Sequence, residues 1–181
     1  KAEVLEANIK GFAAGLAWGE SIREQVYDRY LEYEPTEPKL LMSGNEASAV
    51  GALHAGCRFF AGYPITPATT VYNSMLALLP PLGGVCLQWE DEIASIGFCL
   101  GAAMAGAKAL TATSGPGISL YSEQISFAIG SEIPVVIVDV QRLGPSTGSA
   151  TKGADGDIQF LQWGNSGGLP VIVLAPVDIR D

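Results

Sequence analysis

Two short stretches of the sequence combine residue types that could do chemistry, and they differ sharply in charge. Residues 62–67 read GYPITP, an uncharged turn that two prolines stiffen and that carries the hydroxyl of Thr66. Residues 90–92 read EDE and open a long apolar stretch with three consecutive acids. A stiff corner can fix a hydroxyl group, and an acid removed from water can hydrogen-bond a ring nitrogen. Both stretches are therefore candidates for a ligand site.

The helix predicted after the three acids indicates that one of them is buried. This helix is apolar nearly all round after Glu92, and Ala94, Gly97, Gly101 and Ala105 form a stripe of small residues along it. A helix of this kind is expected to be buried and to be approached closely by another backbone. Alternatively, all three acids are solvated and only complement the helix dipole.

The stretch TSGPG, residues 113–117, joins a predicted strand to a predicted helix. Ser114 can cap that helix, and the glycines allow backbone N–H groups to face outward. Two interpretations stay open: an ordinary capped turn, or a helix N-terminus that closely approaches a cofactor. The stretch has neither the GxGxxG pattern nor the GK[ST] of a P-loop, which disfavours a simple dinucleotide-binding module.

A cation follows the most apolar predicted strand, in the stretch QRLGPSTG of residues 141–148. Arg142 could pair with a surface acid, or it could clamp the carboxylate of a substrate. Uncharged donors near it in sequence or in the predicted fold are Thr66, Ser146, Thr147 and Thr151. Lys152 could add a second positive charge, although a solvated lysine is the favoured interpretation.

Strands and helices alternate along most of the chain. The predicted strands are 58–60, 85–88, 109–113, 135–140 and 171–174, and the predicted helices are 45–55, 69–79, 91–105 and 118–129. This alternation predicts an α/β fold with a doubly wound, mostly parallel sheet. The four unusual stretches follow successive strands, so they should meet at the carboxyl edge of the sheet, where such folds bind ligands.

The first part of the chain has a different pattern. Residues 2–33 read as a helix whose apolar stripe is Leu5, Ile9, Phe12 and Leu16, and residues 32–39 (EYEPTEPK) read as a linker. The predicted domains are thus a helical extension with its linker, residues 1–38, and an α/β domain, residues 39–181. The first residue is not Met and the last residues open a new helix. We therefore expect the chain to be a fragment of a longer protein, and we expect this fragment to end before the domain is complete.

Composition excludes several classes of function. The chain has 181 residues and a formal net charge of −9, with scattered basic residues, which disfavours nucleic-acid binding. No signal peptide or membrane-spanning run is evident, so a cytoplasmic protein is expected. The three cysteines are isolated in apolar surroundings and predict buried reduced thiols, and the single histidine, His54, leaves little material for a metal site or a catalytic triad. No metal ligands are predicted in this chain.

Taken together, GYPITP, EDEIASIG with its small-residue helix, TSGPG and QRLGPSTG resemble the thiamine-diphosphate pyrimidine-binding domain of the 2-oxoacid:ferredoxin oxidoreductases, and most of all the alpha subunit of the 2-oxoglutarate enzymes. The resemblance covers about residues 40–181. Residues 1–38 are similar to the tail of the gamma domain that precedes alpha in fused members of the family. The fold that the resemblance implies is the doubly wound sheet already predicted from the alternation.

The resemblance implies roles for particular residues. Glu92 matches the glutamate that hydrogen-bonds N1′ of the cofactor's aminopyrimidine, and Thr66 and Arg142 match a threonine near the substrate and the arginine that grips its 1-carboxylate. Thr151 lies on a loop that reaches the far end of the substrate. The other matched cofactor-binding positions are Tyr63, Pro64, Ile65, Ser114 and Gly115.

The resemblance also implies partners. The diphosphate-binding signature of the family, GDG followed by an asparagine, is not matched by ADGD at 154–157, which we interpret as a polar turn. Magnesium, the diphosphate site and an iron–sulfur cluster are therefore expected in a beta subunit, within a hetero-oligomer that uses ferredoxin, coenzyme A and a 2-oxo acid. The chain alone is expected to be inactive. Alternatives are a non-redox thiamine decarboxylase or synthase, a dinucleotide-binding module, and a catalytically silent assembly subunit.

Overall fold

The computed structural model describes residues 2–26, 37, 39–168 and 171–180. The chain forms two compact units, Lys1–Leu40 and Leu41–Asp181. In the first, α1 spans Ala2–Val26, and the residues of the predicted apolar stripe are exposed along it. The predicted continuation of this helix over 27–33, and most of the predicted linker, lie outside the described residues.

The second unit contains a parallel sheet and the helices that cover it. Its elements are α2 (Gly44–His54), β1 (Phe59–Gly62), α3 (Thr69–Leu78), β2 (Val85–Gln88), α4 (Glu92–Met104), β3 (Ala109–Thr113), α5 (Gly115–Gly130), β4 (Val136–Asp139) and α6 (Asp157–Trp163). The sheet order is β2-β1-β3-β4, and every neighbouring pair is parallel. The chain thus winds outward in both directions from β1 and β3, which confirms the predicted doubly wound fold.

Alternate residues of the strands point to opposite faces of the sheet and build two separate cores. On one face, Ala61 and Ala109 pack under α4 and α5, together with Ile96, Ile118 and Tyr121. On the other, Phe60 and Leu110 pack under α2 and α3, together with Val71 and Met75. Both faces of the sheet are covered by helices, as the near-continuous apolar strands require.

Local signals in the sequence explain where the helices of the site begin. Ser43 forms a capping box with Glu46 at the start of α2. Asp91 caps α4 through its carboxylate, which accepts a hydrogen bond of 2.7 Å from the Ala94 N–H. The first turn of α4 then presents Glu92 toward the body of the domain, where it is buried.

The stripe of small residues on α4 does not behave as predicted. The buried face of the helix is made by Ser95, Ile96, Cys99, Leu100 and Ala103. At Gly97 a side chain, Gln124 of α5, approaches in place of the expected backbone, and Gly101 and Ala105 are exposed. The reason is that Ile96, Cys99 and Leu100 pack into the core of the sheet, which turns Gly101 and Ala105 away from it.

Two further predictions were wrong. Residues 171–174 were predicted as a strand, but residues 171–176 form no regular structure, and Ile172 and Leu174 are largely exposed. An apolar run becomes a strand only where a neighbour supplies hydrogen-bond partners, and here β4 remains unpaired on that side among the described residues. Conversely, α6 was not predicted: the turn expected at 154–157 ends at Gly156, and Asp157 begins a helix.

Within the described residues, no helix has the length and apolar character needed to span a bilayer.

Candidate cofactor and substrate site

The four unusual stretches lie at one edge of the sheet, as predicted. GYPITP follows β1, the acids follow β2, TSGPG closes β3, and QRLGPSTG follows β4. Hydrogen bonds between neighbouring strands continue past the strand ends, from the Trp89 N–H to the Gly62 carbonyl (3.1 Å) and from the Val140 N–H to the Thr113 carbonyl (2.9 Å). These hydrogen bonds hold β1 to β2 and β3 to β4 at this edge. They lie on either side of the β1–β3 pair, where the winding direction of the chain changes.

Of the three consecutive acids, the structure buries one. Glu92 is 9% exposed, whereas Glu90 and Asp91 are exposed and Asp91 serves as the cap of α4. This outcome contradicts the alternative in which all three acids only complement the helix dipole in solvent. The Glu92 side chain faces the first turn of α5, because a Cβ placed on Gly117 would stand 3.0 Å from Glu92 Cγ.

The N-terminus of α5 contains buried hydroxyl groups without partners. Thr113 and Ser114 are fully buried, and the side-chain oxygens of both lack a hydrogen-bond partner. Ser114 is the N-cap residue by position, but its side chain makes no capping hydrogen bond, so the predicted cap through this hydroxyl is wrong. Buried polar groups are rarely left unpaired, so these hydroxyls, beside Glu92, favour the interpretation of this helix start as a ligand contact.

Gly117 is required for this arrangement. A side chain there would collide with the hydroxyl of Thr113 as well as approach Glu92. Behind it, the hydroxyls of Tyr121 and Thr111 share a buried hydrogen bond of 2.9 Å. Burial raises the pKa of the Tyr121 phenol well above its ordinary value, so it stays neutral and acts as a support for the acid rather than as a second charge.

Two of the three residues predicted to contact substrate, Thr66 and Arg142, are brought together. Arg142 is 7% exposed, and its Nη1 donates a hydrogen bond of 2.8 Å to the main-chain carbonyl of Thr66. The Nε of the same guanidinium is buried without a partner. No carboxylate of the described residues forms an ion pair with Arg142, which removes the alternative of a surface ion pair. A buried cation without a counter-charge is costly unless a ligand supplies one.

The other residues predicted for the site differ in how far they are buried. Pro64 and Ile65 are partly buried in the β1 loop, and Tyr63 and Thr66 are exposed beside them. Ser146, Thr147 and Thr151 are exposed on the segment after β4, and so is Lys152, as the solvated interpretation predicted. The structure therefore brings Arg142 to Thr66 and places Glu92 and Thr113 on either side of Gly117, and it leaves Thr151 exposed on the segment after β4.

Several residues of the site were missed by sequence reasoning. Asn45, on α2, donates a hydrogen bond of 3.0 Å to the Pro67 carbonyl and another to the Thr70 hydroxyl, which fixes the end of GYPITP. Gln141 and Asp139 have buried side-chain oxygens without partners, and so does Asp157. A polar residue at the first or last position of a predicted element was the only available signal, and it is too common to be selective.

The cysteines have no role at this edge. Burial raises the pKa of Cys86 to about 11 and that of Cys99 to about 12, so both thiols stay protonated and unreactive. Cys57 and Cys99 are buried, as predicted, and Cys86 is partly buried. Among the described residues, no group of three or more His, Cys, Asp or Glu side chains could hold a metal ion.

The fold and the site together define an α/β domain with a candidate ligand site at the carboxyl edge of a parallel sheet. Over residues 50–181 the chain matches the family described as "Pyruvate flavodoxin/ferredoxin oxidoreductase, thiamine diP-bdg". The chain belongs to this family, at its thiamine diphosphate-binding domain. The buried Glu92 and the unpaired hydroxyls of Thr113 and Ser114 fit the neutral, nitrogen-rich ring of that cofactor.

Relatives and a solved structure agree with this assignment. The chain is 53% identical over 141 residues to the 2-oxoglutarate synthase subunit KorA of Archaeoglobus fulgidus. The matched region covers 78% of this chain and 41% of that protein. It is 42% identical over 141 residues to the ketoisovalerate oxidoreductase subunit VorB of Methanothermobacter thermautotrophicus, covering 78% of this chain and 40% of that protein.

The structure of the 2-oxoglutarate:ferredoxin oxidoreductase from Magnetococcus marinus, with 2-oxoglutarate, coenzyme A and succinyl-CoA bound, matches with a TM-score of 0.85 and 45% identity. The match covers 99% of this chain and 31% of that one. The matched region thus spans less than half the length of each of these relatives.

Proposed function

We propose that this chain supplies the alpha-subunit half of the active site in a thiamine-diphosphate-dependent 2-oxoacid:ferredoxin oxidoreductase. The reaction is the oxidative decarboxylation of a 2-oxo acid with coenzyme A, which yields an acyl-CoA, CO₂ and reduced ferredoxin. Thiamine diphosphate, when bound, supplies the carbon chemistry of the decarboxylation, and the residues of this chain bind, orient and shield the reactants. The observation that carries the proposal is the buried Arg142, unpaired with any described acid, at the same edge as the buried Glu92.

Glu92 is proposed to hold the pyrimidine ring. The carboxyl is buried at the N-terminus of α4 and lies against the first turn of α5, where the absence of a side chain at Gly117 leaves it room. In that position it can share a proton with a ring nitrogen, which is worth most where water is excluded. Tyr63, Pro64, Ile65, Ser114 and Gly115 are the proposed neighbours of the same cofactor.

Arg142 and Thr66 are proposed to bind the 1-carboxylate of the oxo acid. The hydrogen bond to the Thr66 carbonyl uses one N–H of the guanidinium and orients it, while the unpaired Nε remains available to a carboxylate. The Thr66 hydroxyl, exposed on the stiff turn, can donate to the oxo group beside it. Thr151, which is exposed on the segment after β4, is proposed to meet the far end of the substrate.

The preferred substrate is proposed to be 2-oxoglutarate. Its support is the name of the KorA relative and the 2-oxoglutarate and succinyl-CoA bound in the matched structure. A branched-chain oxo acid is the second candidate, because the VorB relative is named for ketoisovalerate. The two acids share the 1-carboxylate that Arg142 would grip and differ at the end that Thr151 would meet.

Other parts of the enzyme are proposed to come from outside this chain. Magnesium, the diphosphate site and the iron–sulfur cluster are assigned to a beta subunit, and residues 1–38 to the tail of a preceding gamma domain. The protein would then be a cytoplasmic hetero-oligomer in which this chain alone is inactive. A non-redox thiamine enzyme would differ by needing neither a cluster-bearing subunit nor ferredoxin.

A direct test measures the reaction in the full complex. The complex is incubated with 2-oxoglutarate or 2-oxoisovalerate, coenzyme A and oxidised ferredoxin, with and without added thiamine diphosphate, and ferredoxin reduction and acyl-CoA are followed together. The proposal predicts stoichiometric formation of both products, dependent on the cofactor and faster with 2-oxoglutarate. Release of CO₂ without ferredoxin reduction would identify a non-redox enzyme instead.

A further inference from the structure

Two carboxyl groups, to which the proposed function gives no role, meet beside the N-terminus of α5. Asp139 is the last residue of β4, and Asp157 is the first residue of α6. Both side-chain oxygens of Asp139 and one of Asp157 are buried and lack a hydrogen-bond partner. Three carboxylate oxygens without donors are an unstable arrangement if both groups are ionised, because carboxylates only accept hydrogen bonds.

A proton on one of the two groups resolves this conflict. Burial, then the charge of Asp157 and a hydrogen bond to its side chain, raise the pKa of Asp139 to about 7. With the proton on Asp139, its O–H donates to the Asp157 carboxylate, and two of the orphaned oxygens become partners.

Asp157 lies where the backbone favours a negative charge. A Cβ on Gly115 would stand 2.9 Å and 3.0 Å from the two oxygens of Asp157, so this carboxylate lies directly against the first residue of α5. The N-terminus of a helix of this length carries a partial positive charge. Among the described residues, Glu92 on α4 and Arg142 beyond β4 are the other buried charged groups at this edge, whereas Glu90, Asp91, Lys152 and Asp155 are exposed. The charge that acts on Asp139 is that of Asp157.

The pair joins the two ends of the loop that carries the proposed substrate residues. Asp139 precedes Arg142, and Asp157 closes the segment 143–156, which contains Thr151. That segment is folded on itself, with hydrogen bonds from the Leu143 N–H to the Lys152 carbonyl (2.7 Å) and from the Ser149 N–H to the Leu143 carbonyl (2.8 Å). It is therefore a folded loop whose position depends on the residues that hold its two ends.

The far anchor is α6, which α5 holds at its other end. The Ser122 hydroxyl donates to the Gly164 carbonyl (2.6 Å), and the Ser126 hydroxyl accepts from the Ser166 N–H (3.1 Å). Leu161 packs against the core under α4 and α5. These contacts fix the C-terminal end of α6. Its N-terminal end is held by the side chain of Asp157.

We infer that Asp157 is a positioning residue of the substrate site: through a proton shared with Asp139 at the N-terminus of α5, it holds the segment 143–156 so that Arg142 and Thr151 face the oxo acid. This inference rests on the proposed function, because it assigns the segment to substrate binding. Loss of the shared proton separates the two carboxylates and loosens the segment, so the affinity for substrate should fall as the pH rises through about 7.

The test uses the full complex with Asp157→Ala, Asp157→Asn and the control Asp155→Ala, an exposed acid two positions earlier in the same turn. Hydrogen exchange of the amides in 143–156 and the KM and kcat for 2-oxoglutarate are measured between pH 6 and 8. Asp157→Ala should speed exchange in the segment and raise KM by about tenfold, the loss expected for one charged hydrogen bond, with a smaller effect on kcat. Asp155→Ala should match the wild type.

Asp157→Asn separates positioning from simple folding damage. The amide keeps the shape of the side chain and can donate to an ionised Asp139, so the segment should stay protected while the rise of KM with pH disappears. Unchanged exchange and KM in Asp157→Ala, or the same pH profile in Asp157→Asn and wild type, would overturn the inference. Faster exchange without a change in KM would overturn the positioning role. If the wild type does not turn over any oxo acid, the proposed function fails, while the exchange measurement still reports on the pair.

Discussion

The guanidinium of Arg142 donates a hydrogen bond of 2.8 Å to the backbone carbonyl of Thr66, across 76 residues of sequence. This bond joins the loop after β1 to the loop after β4, although β3 lies between those strands in the sheet. The two loops can therefore meet only beyond the carboxyl edge, above the end of β3. The bond thereby ties together two of the four loops at the edge where Glu92 and the N-terminus of α5 also lie.

The cation at position 142 should control substrate affinity. Arg142→Ala in the complex is expected to raise KM for the oxo acid by about tenfold or more, because a desolvated carboxylate loses its charged partner. Arg142→Lys should recover part of the loss, since a lysine restores the charge without the planar fork. Steady-state kinetics would measure this, with the exposed Arg58→Ala as the matched control. A flat KM in Arg142→Ala would make this residue a structural support of the Thr66 turn.

The buried acid at position 92 should control the chemical step. Glu92→Gln keeps the size of the side chain and removes its ability to exchange a proton, so turnover is expected to fall by about 100-fold or more. Assembly of the complex should be unaffected, because the amide fits the same space. Glu90→Gln, an exposed neighbour, is the control and should retain full activity. Equal turnover in the two variants would contradict the role given to Glu92.

The stability of the chain should depend on pH through Asp139. Its pKa is about 7 in the folded protein and 3.8 as a reference value, so the folded state holds the proton more tightly. The corresponding stability is fully present below pH 3.8 and is lost as the pH rises through about 7. Urea unfolding from pH 4.5 to 8 should show this loss in the wild type and in Asp155→Asn. Asp139→Asn should lack it, and a wild-type slope in that variant would refute the assignment.

Strands of this fold were predictable from the sequence where turn residues mark both of their ends. The bounds of β2 and β3 agree with the prediction to the residue, because both are short apolar runs between turn residues. Helix α6 was missed because its seven residues lie among glycines and give no periodic signal. Residues 171–174 have the composition of a buried strand, but composition reports a preference for burial and not the presence of a neighbouring strand.

The site was predictable in its residue types and less so in its contacts. The burial of one of the three acids followed from the apolar helix that they open, and its identity as Glu92 followed from the family resemblance. The common edge followed from the parallel sheet. The hydrogen bond between Arg142 and Thr66 could not be predicted, because nothing in a single sequence indicates which distant loops meet. The same holds for Asp139 and Asp157, each of which could equally have been a solvated residue at the end of an element.

The start of α5 offers a test of the cofactor cradle that does not alter any charged group. Gly117→Ala adds one methyl group, which would collide with the Thr113 hydroxyl and stand 3.0 Å from Glu92 Cγ. Over-packing of this kind should destabilise the chain by about 1–3 kcal/mol and displace the Glu92 side chain. Gly130→Ala, in the last turn of the same helix, meets no atom within 4 Å and controls for the helix propensity of alanine. That control should be neutral or stabilising by about 0.5–1 kcal/mol. Thermal unfolding of the chain and activity of the complex, measured side by side, decide the outcome: if Gly117→Ala behaves like Gly130→Ala in both, the space beside Glu92 is not the tight cradle that the structure shows.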